Sequence, residues 1–206
     1  MKIHFLFSKN REKNRINELL GDFSLFQEYR IPIFLPGANS AIVKKLKASP
    51  KSKELAKAVF TAFENEYDQS KYLEKKFLAQ KQWPRIEDRF FSILKSLRLK
   101  PASKFYCYLS FYGPMGQYHT PNIIDVRVNT AGDIKDLPET IAHEIIHLVI
   151  HQKARGLKYE EIEGLVDLFF RLTEFRNLFP DYKFQNGIKH DIKVFKKHFP
   201  LTSTKA

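Results

Sequence analysis

The apolar-rich run from Lys2 to Phe7, with Lys2 and His4 set between apolar residues, predicts a short strand. Asn14 to Leu20 has the spacing of a helical turn, ended by Gly21. Tyr29 to Gly37 is expected to be extended, because Pro32 and Pro36 each disfavour helix at the preceding residue. Ser40 to Lys47 predicts a short helix. A long helix is expected from Ser52 to about Gln80, with Leu55, Val59, Ala62, Phe63 and Tyr67 on one face. Pro84 opens another, running to Leu97 with Ile86, Phe90, Ile93, Leu94 and Leu97 inward, and Pro101 closes it.

The pattern then changes. Phe105 to Tyr112 and Ile123 to Asn129 read as strands on either side of a Gly113-Pro114-Met115-Gly116 turn. They are expected to form an antiparallel hairpin with a loop through Gln117, Tyr118 and His119. Gly132 and Asp133 turn the chain into a helix from about Leu137 to Ala154, with Pro138 in its first turn and Gly156 at its C-cap. A further helix is predicted from Tyr159 to Asn177. Phe179-Pro180 breaks the chain, Asn186-Gly187 turns it, and a last helix covers Ile188 to His198. The sum is an α+β fold: a small mixed or antiparallel sheet packed on two helices, with a largely helical N-terminal half. Residues 1–100 are expected as a helical region forming one wall or cover of a cleft, and residues 101–206 as the catalytic region.

A chain of 206 residues that is 43% apolar and 14% aromatic can bury a sizeable core, as one domain or one domain with an appendage. The lone cysteine, Cys107, excludes an internal disulfide and suits a reducing compartment; between Tyr106 and Tyr108 it reads as a strand residue. No run is long enough to span a membrane, and the apolar run at Met1 is too short for a signal peptide, so the expected location is cytoplasmic. Net charge is +12. The basic excess lies over residues 44–104 and 183–197, whereas 133–174 is acidic, as a cation site would be. A basic body can attract nucleic acid or another anionic partner, but no nucleic-acid motif accompanies it here. The lysines at 44, 45, 47, 51 and 53 read as a solvated face.

The chemistry concentrates in His143-Glu144-Ile145-Ile146-His147. Helical positions i and i+4 lie about 6 Å apart along the axis and nearly on one side, so the two imidazoles can converge on one metal ion, expected to be Zn2+. Glu144 is the expected general base toward a metal-activated water. A third ligand is required. Glu163 is the leading candidate; Glu160 and Glu161 compete, but only Glu163 is followed by an acid four residues on, Asp167. Asp167 would accept the ring N–H of His143 or His147 and fix its tautomer. Gly164 would let the second helix press against the first. His151, about 12 Å along the axis from His143, is too far to share the ion. His4, His119 and His198 are read as structural.

Residues 138–176 resemble the zincin metallopeptidases, specifically the gluzincin branch that includes thermolysin. That branch pairs His-Glu-x-x-His with a downstream Glu-x-x-x-Asp, matched here by His143, Glu144, His147, Glu163 and Asp167. The metzincin continuation fails, because Ile150 and Lys153 stand where Gly and His are needed. The resemblance implies a zincin-like fold whose strand before the active-site helix forms the cleft rim. There a peptide or protein substrate would bind along residues 123–129, with Ile123, Asp125 and Arg127 as substrate-binding positions. It also implies a Tyr or His near the C-terminus that steadies an oxyanion. Tyr182, His190 and Tyr159 are available, His190 slightly ahead. The expected activity is zinc-dependent peptide-bond hydrolysis. The alternative is a non-proteolytic binding or regulatory protein on the same scaffold, associated with nucleic acid through its basic surface. A third reading is a peptidase held latent by its own N-terminal half. Specificity and oligomeric state are left open.

Overall fold

A computed structural model describes residues 1–37, 48, 52–185 and 188–200. The expected helix from Ser40 to Lys47, the lysines at 44, 45, 47 and 51, and the Asn186-Gly187 turn lie outside the described residues. Four strands form one mixed sheet: β1 (Lys2–Leu6), β2 (Lys104–Ser110), β3 (Gly116–His119) and β4 (Ile123–Arg127), in the order β1-β2-β4-β3. β1, β2 and β4 are mutually parallel, and β3 runs antiparallel to β4. The expected antiparallel hairpin of β2 and β4 is therefore corrected to a parallel pair. The segment read as its loop is the edge strand β3. A turn at 113–115 followed by a second reversal at 120–122 lets β3 insert beside β4, and parallel neighbours need that longer connection.

The helices in chain order are α1 (Lys9–Gly21), α2 (Phe23–Glu28), α3 (Lys53–Glu66), α4 (Gln69–Gln82), α5 (Glu87–Ser96), α6 (Ala131–Lys135), α7 (Leu137–Ile150), α8 (Tyr159–Leu172), α9 (Phe175–Leu178) and α10 (Ile192–His198). α1 is longer than its apolar spacing suggests. Its first turn is polar, but Ser8 caps it by accepting from Arg11 N. The long helix expected from Ser52 splits where Asp68 caps α4 by accepting from Ser70 N. The helix expected to reach Asn177 ends at Leu172, where Thr173 Oγ1 donates to Phe169 O and accepts from Phe175 N. The last helix begins at Ile192, not Ile188, on an Asp191 cap.

Alternation along the strands divides the sheet into two unlike faces. Ile3, Phe5, Phe105, Cys107, Leu109, Ile124 and Val126 point one way, into a cluster that also holds Ala79, Trp83, Phe90, Leu94, Ile141, Ile145, Val166 and Phe169. α7 packs on that face, across β3 and β4. Ser110, Asp125 and Arg127 point the other way, toward α1 and the 113–115 turn. A second apolar cluster joins Ile16, Leu19 and Phe23 to Val59, Phe63 and Tyr112. Both clusters draw on residues before and after position 100, so the expected division there is not followed by the core. β1 pairs with β2 across it. Among the described residues, no helix is long and apolar enough to cross a membrane.

Candidate metal centre

α7 carries His143, Glu144 and His147 because its apolar residues, Ile141, Ile145 and Ile150, are fully buried and fix its rotation over the sheet. α8 brings Glu163 opposite them. His143 Nε2, His147 Nε2 and Glu163 Oε2 face one another at 3.1, 3.2 and 3.3 Å. These three residues are the cluster able to hold a metal ion among the described residues. Glu160 and Glu161 lie outside it, as does His151, whose ring makes an edge contact with Tyr118. The cluster consists of three electron-pair donors. His143 Nδ1 meets Tyr182 Oη at 2.9 Å, and Tyr182 O–H donates to Asp167 Oδ1 at 2.5 Å. The tyrosine proton is thus committed to the carboxylate, so His143 Nδ1–H donates to Tyr182 and its Nε2 lone pair points inward. An inward lone pair on His143, the Nε2 of His147 and a carboxylate in mutual contact call for a cation, or a proton, between them.

The two imidazoles are held by different means. His143 is aligned by the Tyr182–Asp167 relay, so the expected direct Asp167–histidine bond is corrected to one passing through a tyrosine hydroxyl. His147 is 2% exposed and its Nδ1 has no hydrogen-bond partner. Its plane is set by Tyr118, stacked at 4.8 Å and 9°. Tyr118 belongs to β3, the strand whose existence the sequence reading missed.

Asp167 is fully buried. Besides Tyr182, it accepts from Gln185 N at 3.1 Å and His190 Nε2 at 2.7 Å. Tyr182 and His190, expected as oxyanion donors, are therefore engaged by Asp167. Tyr182 sits on the Nδ1 side of His143, away from the Nε2 lone pair. Gly164 also differs from expectation. A Cβ there would collide with Lys189 O, so its bareness admits the 188–190 segment against α8 rather than α7. That contact explains why residues 188–190 are not helical: the segment crosses α8 to deliver His190 to Asp167.

Glu144 is buried beside the cluster. A Cβ at position 116 would collide with its Oε1, so Gly116 is what lets β3 pass over the carboxyl. Burial pushes Glu144 up to about 7; nearby Glu163 and Asp125 push the same way, while His143 and Arg15 pull it down. Glu163 goes in the opposite direction. Burial would raise it, but the facing imidazoles, when one carries a proton, hold it well below the usual carboxylate range. Two carboxyls in one site thus have their proton affinities driven apart, the condition that separates a base from a ligand.

The expected rim positions are corrected as well. β4 lies between β2 and β3 and has no free edge. Asp125 is bound by Arg11 Nη2 at 2.6 Å and His119 Nε2 at 2.7 Å on the α1 side of the sheet. Arg127 makes a two-pronged pair with Asp133 at 2.8 and 3.0 Å. Neither side chain reaches the metal side, and Ile123 pairs with His119 at the far end of the strand. The sheet edge over the site is β3. Tyr118 and Gln185 had no motif to announce them. Comparison with known protein families, with curated proteins and with solved structures finds no match.

Proposed function

We propose that the chain is a zinc-dependent peptidase of gluzincin type. The observation that carries this is the convergence of His143 Nε2, His147 Nε2 and Glu163 Oε2 at 3.1–3.3 Å, beside a buried carboxyl of raised proton affinity. Donor atoms about 2.0–2.1 Å from a tetrahedral zinc lie about 3.3 Å from each other, so the spacing fits that ion. Two imidazoles and one carboxylate also form a catalytic rather than a closed structural ligand set. Zinc held there supplies a Lewis acid that polarises a carbonyl and lowers the pKa of a water toward about 7.

The chain's own residues do the rest. Glu144, held near 7 by burial, takes the proton of the attacking water and passes it to the leaving amine. Asp167 and Tyr182 keep the His143 proton on Nδ1. Among the described residues β3 offers an edge without a strand partner, where an extended peptide can add through main-chain hydrogen bonds. Gly116 keeps that edge close to Glu144. Of the three available side chains, Tyr159, one turn before Glu163 on α8, is the one with no bond to Asp167 among the described residues, and it is assigned to the developing oxyanion. A decapeptide library assayed with zinc-loaded protein tests the reading. Wild type should cleave; Glu144→Gln should bind equal zinc and lose roughly 100-fold or more of the rate. Equal cleavage by both would overturn the assignment, as would zinc loss in Glu144→Gln.

A further inference from the structure

One side chain near the three donors has no place in that mechanism. Gln185 Nε2 donates to Glu163 Oε2 at 2.5 Å and stands 3.5 Å from His143 Nε2. A tetrahedron whose three corners are 3.1–3.3 Å apart has its fourth corner at about the same distance from each. The amide end lies within reach of two corners at once.

Its placement is built rather than incidental. Gln185 N donates to Asp167 Oδ2 at 3.1 Å. Two residues earlier than Lys183's successor, Tyr182 is fixed to the neighbouring oxygen of the same carboxylate and stacked on Phe170 at 3.8 Å. Phe184 packs on both Tyr182 and His190. Beyond, Lys189 O presses on Gly164. Tyr182, Gln185 and His190 each bond to one buried carboxylate, which thus holds the amide over the cluster.

An amide nitrogen has no lone pair to give a cation, but an amide oxygen has two. The two ends of the group have the same shape, so a half-turn about the last side-chain bond exchanges them. With an ion between the three donors, Oε1 inward is the favoured arrangement and Nε2 inward is repelled. We propose that Gln185 is a fourth protein donor to the ion, occupying in the resting chain the corner the reacting water needs and leaving it when peptide binds, so that wild type cleaves slowly from a self-closed resting state. This rests on the metal-site reading above. The closing element is Gln185 and not the N-terminal half. Opening requires only that its side chain rotate away, while its backbone N–H stays on Asp167.

Cobalt(II) is the probe, added to the full chain and to Gln185→Ala, Gln185→Glu and His147→Ala. Affinity is read by competition with a chelator and coordination by the visible absorption bands between about pH 6 and 9. Wild type should give pH-invariant bands. Gln185→Ala should bind roughly tenfold more weakly, show bands that shift with pH as a solvent ligand ionises, and cleave peptide faster when zinc-loaded. Gln185→Glu should bind more tightly than wild type and keep pH-invariant bands, a gain that a purely structural glutamine would not produce. If His147→Ala loses the ion but both Gln185 variants match wild type in affinity and spectrum, this inference fails and the metal site stands. If His147→Ala binds as tightly as wild type, the metal site itself fails and takes the inference with it.

Discussion

Two buried polar clusters lie on opposite faces of the same sheet, and they are built on opposite principles. On the α1 face every strong charge has a counterpart. Asp125 receives Arg11 and His119, Arg127 receives Asp133, and Glu12 accepts from Ser110 Oγ and Phe111 N. Asp125 and Asp133 are both held below the usual carboxylate range, burial being outweighed by these partners. Arg15 is the exception, buried with only Pro114 O as a hydrogen-bond partner among the described residues and its guanidinium pulled down by burial. On the α7 face, His143, His147 and Glu163 bring three electron-pair donors together that are satisfied only with a proton or a cation between them. Apart from Arg15, the first cluster is complete without a ligand. The second is able to hold a cation, and the buried relay behind it keeps a lone pair of His143 facing inward.

The contrast can be broken at either cluster. The largest effect is expected on the complete one. Removing one member of a buried pair leaves the other uncompensated, so Asp133→Ala should lower unfolding free energy by about 3–5 kcal/mol. Denaturant titration of metal-free protein checks this, and Glu163→Ala should cost far less in the same assay, because its cluster loses an excess of like donors. A larger loss from Glu163→Ala than from Asp133→Ala would contradict the distinction.

Next comes Glu144. Its carboxyl holds its proton more tightly folded, up to about 7, than unfolded near the ordinary value of 4.5. That contribution to stability is fully present below the unfolded value and is lost as pH rises through about 7. In metal-free protein Glu144→Gln should therefore match wild type near pH 4 and be the more stable of the two at pH 8, by about 3 kcal/mol at most. Glu139 is also pushed up to about 7 by burial, but it is common to both proteins and cancels. A difference that shrinks toward pH 8 would reverse the sign and refute the assignment.

The smallest effects distinguish the two histidines. Tyr182→Phe removes the hydroxyl that joins His143 to Asp167 and should weaken zinc binding about 10–100-fold. Tyr118→Leu leaves both imidazoles their inward nitrogens and loosens only the His147 ring plane, so its loss should be smaller. Isothermal titration with zinc reads both, and equal losses would show that the relay adds nothing to stacking.

The helices that carry the donors were legible because their information is local. His143-Glu144-Ile145-Ile146-His147 and Glu163-Gly164-Leu165-Val166-Asp167 each present their chemistry within about one turn, and the apolar residues between them set the buried face. Asp68 ahead of α4 and the Thr130–Asp133 capping box of α6 are local signals of the same kind. What could not be read was long-range. Parallel pairing of β2 with β4, the insertion of β3 at the edge, and the meeting of Tyr182, Gln185 and His190 on Asp167 depend on where distant segments come to rest. Asp125 illustrates the point: its strand was recognised, but the face it points to depends on a neighbour more than a hundred residues away, Arg11.

The central claim is that two imidazoles and Glu163 close on one divalent ion. Zinc content of the purified full chain, measured beside His147→Ala and Glu163→Ala, tests it most directly. The account predicts about one zinc per chain in wild type and a large loss of it in both variants. Retention of zinc at wild-type stoichiometry and affinity in either variant, or its absence from wild type after addition of the metal, would contradict it.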